Sequence, residues 1–346
     1  MKVVFLLLLT VALGQQYRVS LLQRDAEPLL SYLQTNNSFY RQVFNPTWVP
    51  PSPGTGQRKG LLARTQNCEY SQDKCIFCGG AASKASILTF SLDQGDGKFS
   101  AVTEDSVAFG PSTEEDSWGT EDPRLVYNSE DQHYYMMYTA YNGSSILLSL
   151  AKSTNPFDKN SWQKLGPVFP SYQNSKSGAL LIRSQPPHYL FWGDSNIRVA
   201  KSDNLSHWES IGDIILSPRA DKFDSKLVES GPPPLLLEDG NYLFFYNSAE
   251  KGWPEDPNTA YHVGWVILDG RNPSKVIARS DVPLMGPRYP WEKGSSPYLC
   301  NVPNVVFLEA AYPLGGDRFR VFFGGGDATI GSATIQVSTL SGLRSD

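Results

Sequence analysis

The sequence predicts an all-β chain: a five-bladed β-propeller preceded by a short N-terminal extension. Three observations carry this. Aromatic-rich segments begin near residues 134, 189, 242 and 319, and each is followed by a run of small and apolar residues. The steps between them, about 55, 53 and 77 residues, suit a four-stranded blade with variable loops. Aromatic residues make up 12% of the chain, and 29 Gly and 25 Pro among 346 residues supply many turns without reaching the level of a disordered chain. Charged residues stand at 19%, below the roughly 25% of an average soluble protein, which argues against a long solvated helical bundle.

The elements follow in chain order. Met1-Lys2 precedes an apolar run, Val3 to Gly14. One positive charge before so short a run reads as a secretory signal peptide over residues 1–14, since a membrane span needs about 20 apolar residues. No later segment is long enough to span a bilayer. The protein is therefore expected outside the cell. Residues 15–42 form the extension, with a helix expected around Pro28 to Gln34. Residues 43–346 form the propeller. Its first unit pairs Gly60–Arg64 with Ser86–Phe90. The next four are built on Tyr134–Tyr138 with Ile146–Leu150, His188–Trp192 with Ile197–Ala200, Asn241–Tyr246 with His262–Ile267, and Arg318–Phe323 with Ile330–Thr334. Cys68, Cys75 and Cys78 cluster, and Cys300 is remote. In an oxidising compartment they read as disulfides rather than a zinc site, with three pairings open. Three Asn-X-Ser sequons, at Asn36, Asn142 and Asn204, fit a secreted glycoprotein.

The formal charge of -5 excludes a typical nucleic-acid binder. The sharpest polar motif is Gly119-Thr120-Glu121-Asp122-Pro123-Arg124. Pro123 biases Asp122 towards extended backbone. Glu121 and Asp122 should then alternate, one facing the channel and the other holding the turn. Arg124 can pair with carboxylates across the blade.

At this point the chain resembles glycoside hydrolase family 130, five-bladed propellers acting on β-mannosides. The resemblance runs from about Val43 to Gln336. It rests on Phe44-Asn45-Pro46, Leu61-Leu62-Ala63-Arg64, Glu121-Asp122-Pro123-Arg124, Lys176-Ser177-Gly178-Ala179, Gly231-Pro232-Pro233-Pro234, Asn301-Val302-Pro303-Asn304 and Gly325-Gly326-Asp327-Ala328. It implies an inverting enzyme that needs no metal or cofactor. Asp122 would be the general acid, acting through a sugar hydroxyl. Asn45, Arg64, Lys176 and Asp327 would bind the sugar, and Arg124, Asp194, Asn196 and Tyr246 join them as candidate substrate-binding residues.

The family's phosphorylases carry a His-Arg pair where this chain reads Trp192-Gly193-Asp194-Ser195-Asn196, and a His where it has Asn247. Asp194 would repel phosphate, although Arg198 could restore one cation. The chain is therefore expected to be closer to the hydrolytic members: a secreted inverting glycosidase cleaving β-mannosidic linkages of oligosaccharides or glycans. Glu229 is the first choice of base for the attacking water, followed by Asp194 and Glu292. The alternatives are a β-mannoside phosphorylase using inorganic phosphate, a non-catalytic glycan-binding propeller, and a furanoside-cleaving relative. Linkage and oligomeric state stay open.

Overall fold

The computed structural model describes residues 17–35, 42–66, 86–298 and 301–339. The expected signal segment, all four cysteines and the sequon at Asn36 lie outside these residues, so the expected disulfides find no support among the described residues.

Five antiparallel sheets form the propeller. Strand β1 (Tyr17–Arg24) comes first in the chain, and its place in the ring is described below. The first blade contains β2 (Gln42–Val49), β3 (Gly60–Gln66) and β4 (Ile87–Gly95), with the short β5 (Lys98–Phe99) and β6 (Val107–Phe109) both pairing with β4. The second contains β7 (Gly119–Asn128), β8 (His133–Tyr141), β9 (Ile146–Ser153) and β10 (Trp162–Pro167). The third contains β11 (Ala179–Leu181), β12 (His188–Trp192), β13 (Ile197–Ser202) and β14 (Glu209–Leu216). The fourth contains β15 (Leu227–Ser230), β16 (Leu235–Leu236), β17 (Tyr242–Ala249), β18 (Tyr261–Leu268) and β19 (Val276–Arg279). The fifth contains β20 (Val306–Gly315), β21 (Arg318–Gly325) and β22 (Thr329–Thr339), and β1 adds its outer strand.

The N-terminal extension thus does more than precede the ring. Tyr17 lies opposite Thr339 and Arg24 opposite Ala333, so the two ends of the chain close one sheet. The extension's helix is a single turn, α1 (Tyr32–Thr35). A second turn, α2 (Pro290–Lys293), was not anticipated. No helix among the described residues is long and apolar enough to cross a membrane.

The blade strands read as continuous aromatic runs because both of their faces are buried. On β8, Tyr134, Met136 and Tyr138 pack against the first blade, while Tyr135 and Met137 pack against the third. On β17, Leu243 and Phe245 face the fifth blade, and Phe244 and Tyr246 the third. The period of two assigns alternate residues to alternate neighbours. The last interface joins Trp48 and Leu61 of the first blade to Phe322 and Ile330 of the fifth. Each large side chain so buried is worth about 1.5–3 kcal/mol. The ring of interfaces is therefore the core.

Candidate active site

The site lies where the first strands of the blades approach one another. Strands β2, β7 and β20 are in mutual contact, and β7 also meets β11. Three of these inner strands carry irregularities: at Asn45 in β2, at Asp122 and Pro123 in β7, and at Glu309 in β20. A bulge inserts an unpaired residue and re-aims its side chain. Asn45 and Asp122 accordingly have φ of +46° and +50°, and Ser177 and Asp327 have +55° and +48°. Left-handed backbone is uncommon for residues other than glycine, though least so for Asn and Asp. Four such residues in one neighbourhood make it the candidate site. The extended backbone expected of Asp122 is therefore corrected, because the bulge overrides the influence of Pro123.

One half of the site is built on Arg64. Its Nη1 donates to Asp122 Oδ1 at 3.1 Å and its Nη2 to Glu121 Oε1 at 2.7 Å. Its Nε donates to Ser86 Oγ at 3.2 Å. Glu121 and Asp122 thus share one guanidinium rather than pointing apart. Asn45 Nδ2 donates to Asp122 Oδ1 at 3.0 Å. Gly324 lets this happen: a Cβ there would sit 2.2 Å from Asn45 Oδ1. Burial pushes the Asp122 carboxyl up, but Arg64, Arg124, Asn45 and Lys176 outweigh it and hold it below the usual carboxylate range. For Glu121 burial wins over Arg64, and its carboxyl is raised.

The other half is built on Glu229. Ser177 Oγ donates to its Oε2 and the Tyr261 hydroxyl to its Oε1. Lys176 Nζ lies 3.6 Å from Glu229 Oε2 and 3.7 Å from Asp194 Oδ2. Burial alone would lower the Lys176 ammonium, yet the carboxylates of Glu229, Asp194, Asp122 and Glu121 raise it. Asp194 sits with Asn196 on the turn between β12 and β13. That turn is tied down by Gly193 N–H donating to Lys176 O at 3.0 Å and Val228 N–H donating to Ser195 O at 3.2 Å.

Asp327, on the turn joining β21 to β22, senses both halves. Burial first, then repulsion from Asp122 and Glu229, lifts its carboxyl to about 7 against the pull of Arg64 and Lys176. Such a group is protonated in the folded chain while ionised in the unfolded one between about pH 4 and 7. The folded state then binds more protons, so this contribution to stability falls as pH rises through that window. Asp327→Asn is expected to escape the loss. Its unfolding free energy should gain on that of the parent between pH 4 and pH 8, by about 1–2 kcal/mol after discounting for partial exposure. A difference that does not change with pH would refute this account.

Several expected site residues lie elsewhere. Arg124 is wholly buried beneath the site. Its Nε donates to Gly231 O at 2.9 Å, its Nη1 to Asp122 O at 3.0 Å and its Nη2 to Ser230 O at 2.8 Å, and Nη2 also pairs with Glu309 Oε1 at 2.7 Å. It clamps inner strands and offers sugar nothing. Tyr246 is sealed between the third and fourth blades, where its hydroxyl donates to Asp224 Oδ2 at 2.9 Å. Glu292, considered as a base, is buried and accepts from Arg24 and from the backbone N–H groups of Arg288 and Tyr289. Asn247 clamps β20, donating to Leu308 O at 3.0 Å and accepting from Leu308 N–H at 2.7 Å. The Arg198 guanidinium lies over the ring of Tyr172. Sequence reasoning missed the roles of Tyr261, Ser177, Ser86 and Glu309. Only Glu309 left a signal: a lone carboxylate in the apolar run Val306–Ala311.

The family model described as beta-1,4-mannooligosaccharide phosphorylase, that of glycoside hydrolase family 130, matches residues 83–343. The chain belongs to glycoside hydrolase family 130. Within it, the chain is 32% identical over 261 residues to a 1,2-beta-oligomannan phosphorylase of Thermoanaerobacter sp. (strain X514), covering 69% of this chain and 78% of that protein. It is also 32% identical over 224 residues to a beta-1,2-mannobiose phosphorylase of the same organism, covering 64% and 68%. In fold it is similar to the Listeria innocua beta-1,2-mannobiose phosphorylase solved with beta-1,2-mannobiose, at a TM-score of 0.73 and 18% identity over 94% of this chain and 98% of that one.

These relatives correct the expectation of a hydrolase-like family 130 member. At 32% identity the named proteins are phosphorylases, not glycosidases. The site agrees on one physical point. The Glu229 side chain is 3% exposed and both its oxygens already accept hydrogen bonds, so its observed contacts are structural ones.

Proposed function

We propose that this chain is a β-mannoside phosphorylase acting on β-1,2-linked mannosides with inorganic phosphate as the attacking group. The observation that carries the reading is the 32% identity, across 69% of the chain, to a protein named 1,2-beta-oligomannan phosphorylase. A phosphate oxygen attacks the anomeric carbon, the glycosidic C–O bond breaks, and the leaving oxygen takes a proton originating from Asp122. Arg64 and Arg124 favour ionised Asp122. A sugar that expels water strengthens the opposing effect of burial, so protonation accompanies substrate binding. Arg64 and ionised Asp327 would hold sugar hydroxyls by charge-assisted hydrogen bonds, and Asn45 by its neutral amide.

The test is product analysis by NMR, with β-1,2-mannobiose supplied with and without phosphate. Mannose 1-phosphate of inverted anomeric form is expected, and only when phosphate is present. Release of free mannose at the same rate without phosphate would overturn the reading.

A further inference from the structure

For an enzyme whose second substrate is an anion, the site is short of positive charge. Around it the described residues bring together Glu121 and Asp122 from β7, Asp194 from the β12–β13 turn, Glu229 from β15 and Asp327 from the β21–β22 turn. Arg64 from β3 and Lys176 face them. Arg124 below is committed to Glu309 and three backbone carbonyls. A phosphate entering this space meets carboxylates already holding both cations.

The two carboxylates on Lys176 are not equivalent. Glu229 cannot leave, being buried and fixed by Ser177 and by Tyr261 of β18. The Asp194 side chain is 34% exposed, and its ion pair with Lys176 at 3.7 Å lies beyond hydrogen-bonding distance. Its turn has glycine at 193 with φ +130° and Ser195 at φ +92°. The backbone of the turn is held by Gly193 and Ser195, while the Asp194 side chain is partly open to solvent.

We propose that Asp194 is a built-in stand-in for phosphate: it neutralises Lys176 until phosphate arrives and is displaced, taking up a proton, when phosphate binds there. The inference rests on the phosphorylase reading and names the device by which that site admits its anion. The proton follows from the same contacts. Burial raises the Asp194 carboxyl and Lys176 opposes the rise, with Glu229 adding to it. Once Lys176 turns to phosphate, that opposition weakens, while the negative charges of Glu229 and of the incoming anion remain beside the carboxyl. Anion affinity should therefore fall as pH rises.

The test is calorimetric titration of the full chain with inorganic phosphate. A parallel titration uses sulfate, whose charge is constant over about pH 5 to 8, so that any proton uptake is the protein's own. Buffers of different ionisation heat report that uptake. Asp194→Asn is expected to bind both anions about three- to tenfold more tightly, with diminished proton uptake, and to lower the KM for phosphate more than that for the mannoside. Asp194→Glu, which keeps the competing charge, should stay near the parent. If Asp194→Asn binds the anions no more tightly than the parent, or takes up protons equally, the inference is overturned. The titrations need no turnover. Failure of the phosphorylase reading, seen as mannose release indifferent to phosphate, is therefore distinguishable from failure of this one.

Discussion

Asp122→Asn is expected to cut phosphorolysis of an unactivated β-mannoside by about 10²- to 10⁴-fold, the range that a positioned acid contributes. The amide can still accept from Arg64 and face Asn45, so the bulge and the pocket should survive. What it cannot do is release a proton to the departing oxygen. The loss should therefore fall on kcat, with KM nearly unchanged, because uniform binding is left intact. A mannoside with a strongly acidic aryl leaving group needs little protonation, and on such a substrate the variant should recover most of its rate. If Asp122→Asn stays within about tenfold of the parent on β-1,2-mannobiose, the acid lies elsewhere. Asp327, lifted to about 7 by burial and its acidic neighbours, would then be the next carboxyl to replace.

Arg124→Met should be the most destabilising single change in the inner ring. Arg124 joins β7 to the carbonyls of Ser230 and Gly231 and pairs with Glu309 of β20. Removing it leaves Glu309, itself pushed well up by burial, without the cation that opposes that push. Losing one partner of a buried pair costs about 3–5 kcal/mol, a large share of the roughly 5–15 kcal/mol that holds a domain together. Glu309→Gln should cost far less, about 1 kcal/mol, because a neutral amide of the same shape stays beside the guanidinium and no buried charge is stranded. Urea denaturation of the three proteins measures both. A loss under about 1 kcal/mol for Arg124→Met would mean the clamp is redundant.

The propeller was legible because blade strands buried on both faces write themselves as aromatic runs, and runs such as Tyr134–Tyr138 and Tyr242–Tyr246 are hard to miss. For the same reason Tyr246 was misread as a site residue. Within such a run nothing local says which ring faces a pocket and which a neighbouring blade, and Tyr261, which does reach the site, sits in a similar run. The strand Tyr17–Arg24 was passed over because it is an outer strand, half-exposed and without clean alternation. Its identity depends on a partner at the far end of the chain. Asp122 and Asn45 were found through their motifs, but their aim was not. A bulge is a mismatch between two strands, and one strand's sequence does not contain it. The hydrolase reading came from missing cations at Asp194 and Asn247. Absence at those positions does not count the charges that other strands supply, and Lys176 lies within reach of Asp194.

The sheet shared by β1 and β22 also sets the order in which the molecule can be finished. The first four blades can form as the chain leaves the ribosome, at about 5–20 residues per second. The ring cannot shut until the last strands exist, so β1 waits tens of seconds with its backbone groups unpaired. Through that interval the open ring has two matching edges, one at each end of the same chain. A second copy at the same stage offers the same pair of edges. Closure within one chain and exchange between two are then alternative ends to one folding reaction, and protein concentration during folding decides between them.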